Sequence, residues 1–217
     1  HPPGGVVGGD RLVLNVHLEA GSHALLTMPG ATKFYRSSGV TASLSQHFHL
    51  EPGSVLEWLP QGNICFPGAR ARLENRFSMS PGARLLAWET LCLGRPVMNE
   101  PFSHGALDSR LQIDVPGDPG LHERLRIEGG QLEKLGGYPL QATFCAYPAT
   151  QALLDQTRAL LDELSVPAGA TLLGELLVVR LLDHDNQRLQ LTLQRIWHAL
   201  RPAVVGLAPC PPRIWAT

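Results

Sequence analysis

Two histidines and a carboxylate at alternate positions, His47-Phe48-His49-Leu50-Glu51, are the sharpest candidate for chemistry in this 217-residue chain. In a strand, residues i, i+2 and i+4 share a face, so His47, His49 and Glu51 project together. Two imidazoles with one carboxylate suit nickel, iron or zinc. The same alternation also arises when Phe48 and Leu50 face a core and the polar three face water. Three more acids stand among apolar strand residues: Glu57 in LEWLP, Glu89 in AWET and Glu100 in MNEPF. Glu57 and Glu89 adjoin Trp58 and Trp88, so stacked strands would bring the two carboxylates together. Buried acids are costly unless paired, so these positions imply either a lined polar path or arginine partners. Arg70, Arg72, Arg84 and Arg95 are at hand for pairing.

Other chemistries find no support. PPGGVVGGD is Gly-rich, but it precedes a strand and lacks the Lys-Ser/Thr of a phosphate cradle. No GxSxG occurs, and lone histidines such as His104 or His184 have no triad context. Cys65, Cys92, Cys145 and Cys210 are scattered, with neither zinc-ligand spacing nor a disulfide framework.

The elements that must position these residues recur along the first half. NVHLEAGSHALL, HFHLEPGSVLEWL and RFSMSPGARLLAW each read as a strand, a Gly turn and an apolar strand, and LQIDVPGDPGL is a weaker copy. The turn glycines Gly21, Gly53, Gly82 and Gly117 are 32, 29 and 35 residues apart. A near-regular period of this size marks stacked supersecondary units, none of which buries its apolar face alone. Leu26, Trp58 and Trp88 sit at similar offsets after their glycines, which places them in one contiguous core. MPGATKFYRSSG, PQGNICFPGAR and LGRPVMNEPFSHG read as connections. HERLRIEG alternates as a further strand. Residues 150–165 carry helical apolar spacing behind Thr150, with Pro167 as the stop. TLLGELLVVRLL reads as an apolar strand. A second helix, from about Asp185 to Leu200, is expected to end at Arg201-Pro202. The Pro-rich tail can be pinned to a surface by Trp215. The fold class is mostly β, with layered, stacked sheets and two helices near the C-terminus, in a single domain over 1–217.

Composition narrows the partners. A net charge of −1 gives no electrostatic footprint for nucleic acid or an acidic membrane. No apolar run reaches bilayer length and no leader opens the chain, which makes cytoplasmic the expectation. Of eighteen basic residues only Lys33 and Lys134 are lysines, and arginine favours fixed pairing and interfaces.

The segments HPPGGVVGGD, ATKFYRSSG, LEWLPQGNICFPGA, AWETLCLGRP, NEPFSHG, ERLRIEGG and CPPRIWAT together resemble the urease accessory proteins UreD, called UreH in some systems. The resemblance covers essentially the whole chain in order. It implies a mostly β, layered fold and a role in maturing a nickel enzyme. It also implies a complex with UreF and the GTPase UreG that docks on apo-urease and helps deliver nickel. The family carries strands before its HPPGG motif, whereas this chain opens at the motif, so an unpaired sheet edge is expected. The resemblance supplies no catalytic residue.

The reading that follows is a non-enzymatic scaffold with no stably bound cofactor, nickel being in transit, and GTP hydrolysis left to a partner. Glu57, Glu89 and Glu100 are the candidates for a nickel path, ahead of His47, His49 and Glu51. The alternative is a metal-dependent, cupin-like β-barrel enzyme using His47, His49 and Glu51. Against it, Glu51 is followed at once by the Pro52-Gly53 turn.

Overall fold

Gly21, Gly53 and Gly82 adopt φ values of 69°, 68° and 76°, a region that L side chains enter only at a cost. Each glycine turns the chain out of one sheet and into another. The computed structural model, which describes residues 4–216, thereby winds the first half into stacked coils. The first coil runs through β1 (Arg11–Leu18), β2 (His23–Thr27) and β3 (Thr32–Phe34). The second runs through β4 (Ala42–Leu50), β5 (Val55–Leu59) and β6 (Asn63–Cys65). The third uses β7 (Arg70–Met79) and the long β8 (Arg84–Arg95), which pairs in parallel with both β5 and β6. The connections after Met28 and Pro60 are therefore not plain loops, since each contributes a short strand to its coil. The buried Val6 of the opening segment bridges to Phe34 beside β3.

The fourth copy departs from the pattern. β9 (Glu100–Pro101) folds back on β8, and β10 (Ala106–Asp114) stacks in parallel on β7. After Gly117, however, β11 (Leu121–Glu128) returns antiparallel along β10 in the same sheet. It cannot cross to the other sheet, because the place beside β8 belongs to β12 (Leu140–Tyr147). That central strand, LQATFCAY, has no counterpart in the sequence reading.

α1 (Gln151–Leu161) starts behind Thr150, whose side chain accepts from the Leu153 amide, and it ends well before Pro167. The apolar run that follows is a hairpin, not one strand. β13 (Ala168–Leu173) and β14 (Leu176–Asp183) meet at Gly174, where φ is 57°. α2 (Asn186–Val205) is capped by Asp185, whose carboxylate accepts from two backbone amides. It runs one turn beyond the expected stop, with Pro202 inside, and closes on Gly206.

The result is three layers. A five-stranded sheet, in the order β1-β4-β7-β10-β11, faces a nine-stranded sheet whose main path is β13-β14-β12-β8-β5-β2. α1 and α2 cover the far side of the nine-stranded sheet. Two apolar clusters fill the space between the sheets, one around Phe48, Phe77 and Leu85, the other around Phe34, Leu73 and Phe102. The single core expected for Leu26, Trp58 and Trp88 is not formed. Trp58 lies five residues past its turn glycine and Trp88 six past its own, and Trp58 pairs with Ala87. One residue of phase turns a side chain to the other face of a sheet. Trp58 and Leu26 therefore pack between the sheets, while Trp88 packs under the helices with Phe144, Trp197 and Trp215.

Among the described residues no helix is long and apolar enough to cross a membrane.

Candidate functional site

The same phase argument separates Glu57 from Glu89. Glu57 pairs with Leu86, three residues before Glu89, so the two carboxylates leave opposite faces of the nine-stranded sheet. The expected approach of their charges does not occur.

Glu57 points towards the helices and is fully buried. Arg201 of α2 grips it with two bonds, Nε to Oε2 and Nη2 to Oε1, both 2.9 Å. Trp197 Nε1 donates to Oε2 at 2.7 Å, and His23 Nε2 lies 2.9 Å from Oε1. Burial by itself would raise this carboxyl. The bonds from Arg201, Trp197 and His23 outweigh it and hold the group below the ordinary value of 4.5. Arg201 also donates to the Ala208 carbonyl, tying the C-terminal tail to the same cluster. Every lone-pair direction of Glu57 is spoken for, which makes it a structural staple between β5 and α2.

Glu89 points the other way, into the space between the sheets. Asn75 Nδ2 of β7 donates to its Oε2 at 2.8 Å, bridging the two sheets, and no ion pair reaches it among the described residues. Burial drives its pKa up from 4.5 to about 7, against the Asn75 bond and with help from the negative charge of Glu123. Register sets polar neighbours alongside it. Glu89, Thr143 and Arg180 face one another across β8, β12 and β14. Gln46 and Asn75 pair across β4 and β7, and Glu123 stands one strand beyond Leu111 in the same row. Gln46, Asn75, Ser109, Glu89 and Thr143 are all buried, so a polar band crosses the sandwich between its two apolar clusters.

That band contains space. A cavity of about 250 Å³ is lined by Glu89, Ser109, Leu111, Glu123, Arg124 and Gln141 among others. Ser109 Oγ and Gln141 Oε1 are buried there without a partner among the described residues. Arg180 donates to Glu123 on the outer side. A smaller void of about 10 Å³ lies further in, between Glu89, Asn75, Thr143 and Trp58. Trp58 Nε1 is buried beside it, also without a partner. Glu89 lines both spaces. Buried polar atoms usually find partners, so the two unpaired ones on the roomy cleft and the third at the small void mark places where a polar guest, water included, would fit.

The remaining candidates lie nearer the surface, His47 and His49 exposed and Glu51 and Glu100 half-buried. Glu100 is gripped by Arg95 across the β8–β9 hairpin, Nε to Oε2 at 2.6 Å, and Arg95 in turn lies over the Phe66 ring at 4.9 Å. His47, His49 and Glu51 lie on the outer face of the five-stranded sheet, and only two of them converge. His49 Nε2 is 3.1 Å from Glu51 Oε1, and the third member of the group is His17 of β1, 3.5 Å from the same oxygen. His47 instead falls in the next row, between Asn15 and Arg76. The strands carrying these side chains run parallel in an open sheet, which is not the antiparallel architecture of a cupin barrel.

Sequence reasoning missed Asn75, Ser109, Thr143, Glu123 and Gln141. A signal existed for the first two. Asn75 and Ser109 occupy the inward, apolar phase of alternating strands, where a polar residue breaks the pattern. The four cysteines are free, as their spacing suggested.

Comparison with known proteins supplies the context. A family model described as UreD urease accessory protein matches residues 1–216. A protein of Pseudomonas entomophila named urease accessory protein UreD is 74% identical over 217 residues, covering all of this chain and 78% of its own length. Proteins of the same name in Enterobacter sp. strain 638 and Klebsiella aerogenes are 52% and 51% identical over the whole chain, which covers 79% and 80% of their lengths.

Proposed function

The chain belongs to the UreD family of urease accessory proteins, and from that premise we propose that it is a non-catalytic scaffold that carries nickel through its polar band. In this reading it assembles with UreF and the GTPase UreG, and the complex docks on apo-urease. GTP hydrolysis stays with UreG, and nickel is cargo, not a resident cofactor.

The observation that carries the reading is Glu89. A carboxylate buried between two sheets, with one amide donor and a cavity on either side, is poised to exchange its proton for a cation. A divalent ion beside it would favour the ionised form that burial disfavours, and the proton would leave as the ion arrives. Glu123, Gln141 and Ser109 supply further oxygen donors along the cavity wall. Glu57 and Glu100, each held by an arginine, are poorly suited to such exchange.

The test is urease activation in cells, paired with assembly of the complex in vitro. Glu89→Gln keeps shape and hydrogen bonding but removes the charge, and is expected to lower activation severalfold while assembly is retained. Glu57→Gln is expected to impair folding and assembly together. Full activation by the Glu89→Gln protein would remove Glu89 from any nickel route.

A further inference from the structure

We propose that His17, His49 and Glu51 form a surface site for one divalent transition-metal ion of borderline softness, in the class of Ni²⁺, Zn²⁺ and Cu²⁺. The site lies on the outer face of the five-stranded sheet, whereas Glu89 lies on the inner side of the sandwich. Its existence does not depend on the interior route, so either can fail alone.

The coil geometry builds it. β1 and β4 pair in parallel with His17 directly opposite His49, and the two rings have centroids 5.0 Å apart. Glu51 follows β4 immediately, and its backbone is fixed. Its amide donates to the Leu18 carbonyl at 3.0 Å, and its own carbonyl accepts from the Ser54 amide and hydroxyl at 3.1 and 2.7 Å. Glu51 Oε1 thus stands between the imidazoles, 3.5 Å from His17 Nε2 and 3.1 Å from His49 Nε2.

One donor atom from each residue lies within 4.8 Å of the other two. Bonds of about 2.0–2.2 Å to one ion place neighbouring donors roughly 3–3.5 Å apart, so only small side-chain rotations close the set. Two neutral imidazoles and one carboxylate favour borderline cations over Mg²⁺ or Ca²⁺, which prefer all-oxygen shells. With side chains 59%, 50% and 35% exposed, a hydrated ion can reach the three and keep water on its other positions. Neighbouring histidines lack this arrangement. His47 lies next to Arg76, itself paired with Asp114, and His122 lies opposite Gln112 with its ring at the Asp114 carboxylate, a single acid with no second imidazole in the group.

Calorimetric titration of the untagged full chain with Ni²⁺ and with Zn²⁺ tests the assignment. One ion per chain is expected at this site. His17→Ala, His49→Ala and Glu51→Gln should each weaken it roughly tenfold or more, as loss of a direct ligand must cost at least as much as loss of an outer-shell partner. His47→Ala and His122→Ala should leave the affinity within twofold. In the unaltered protein, substoichiometric paramagnetic Ni²⁺ should broaden the imidazole signals of His17 and His49 before those of any other histidine. This second measurement decides the matter if a variant folds badly. Wild-type affinity in a His17→Ala/His49→Ala chain, or first broadening at other histidines, would overturn the site.

Discussion

Glu57 and Glu89 are the same residue type in the same sheet, yet their environments push them in opposite directions. Arg201, Trp197 and His23 stabilise the ionised form of Glu57, whereas Glu89 receives one neutral amide against full desolvation. The consequence for stability has opposite signs. Glu89 keeps its proton in the folded chain up to about pH 7, while in the unfolded chain it ionises near 4.5. Its contribution is therefore complete below pH 4.5 and fades as pH rises to about 7, a change on the order of 3 kcal/mol. Glu57, whose folded value is depressed, contributes above its ordinary value of 4.5, and that contribution is lost as pH falls through the lower folded value. Urea unfolding of Glu89→Gln and the parent between pH 4 and 8 should show a stability difference that moves in favour of the variant as pH rises, then levels off. A difference independent of pH would mean that Glu89 ionises normally in the folded chain.

At the scale of elements, turn chemistry was legible and phase was not. The three coils and their Gly turns follow from positive-φ glycines between alternating strands, and both helices follow from caps and apolar spacing. The 32 residues between Glu57 and Glu89 look like one repeat, but β5 and β8 stack with a shift of 29. A count from glycine to tryptophan carries a one-residue ambiguity, and in a strand one residue is a whole face. Central β12 went unread although LQATFCAY alternates, with Leu140, Ala142, Phe144 and Ala146 on the face under the helices and Gln141, Thr143 and Cys145 on the face between the sheets; no Gly turn of the repeat leads into it. The β13–β14 hairpin hid inside the apolar stretch TLLGELLVVRLL, where Gly174-Glu175 is the only sign of its turn. The glycines themselves make a test. Gly53 has open space where a Cβ would stand, so Gly53→Ala should cost only the backbone strain of positive φ, about 1–2 kcal/mol. At Gly62, where φ is 91°, the new Cβ would fall on the buried Thr90 Oγ1, so Gly62→Ala should cost distinctly more. Equal losses in denaturant midpoint at constant m would contradict this account of the coil turns.

The molecule as a whole is a solenoid start closed by a different finish, and that closure decides how it unfolds. A pure repeat array holds each unit only to its neighbours and can fray from an end. Here β5 serves two layers at once, with Trp58 packed between the sheets and Glu57 and Leu59 turned towards the helices. The bond from Glu57 to Arg201 joins positions 144 residues apart. Trp197, fully buried, adds a second tie between α2 and the same carboxylate. Losing α2 would strip Glu57 of its cation and uncover the apolar face that carries Leu25, Leu86 and Trp88. Replacing Trp197 alone should cost about 3–5 kcal/mol, a large share of the total for a domain of this size. The helical layer and the sandwich should therefore unfold together. Far-ultraviolet circular dichroism should report the sheets and α2. Tryptophan fluorescence should report Trp58 between the sheets and Trp88, Trp197 and Trp215 beneath the helices. Both should give one coincident urea transition, and a chain ending at Asp183 should fail to fold. A fluorescence transition at lower urea than the dichroism, or a folded chain lacking residues 184–217, would show that the coils stand without their helical cover.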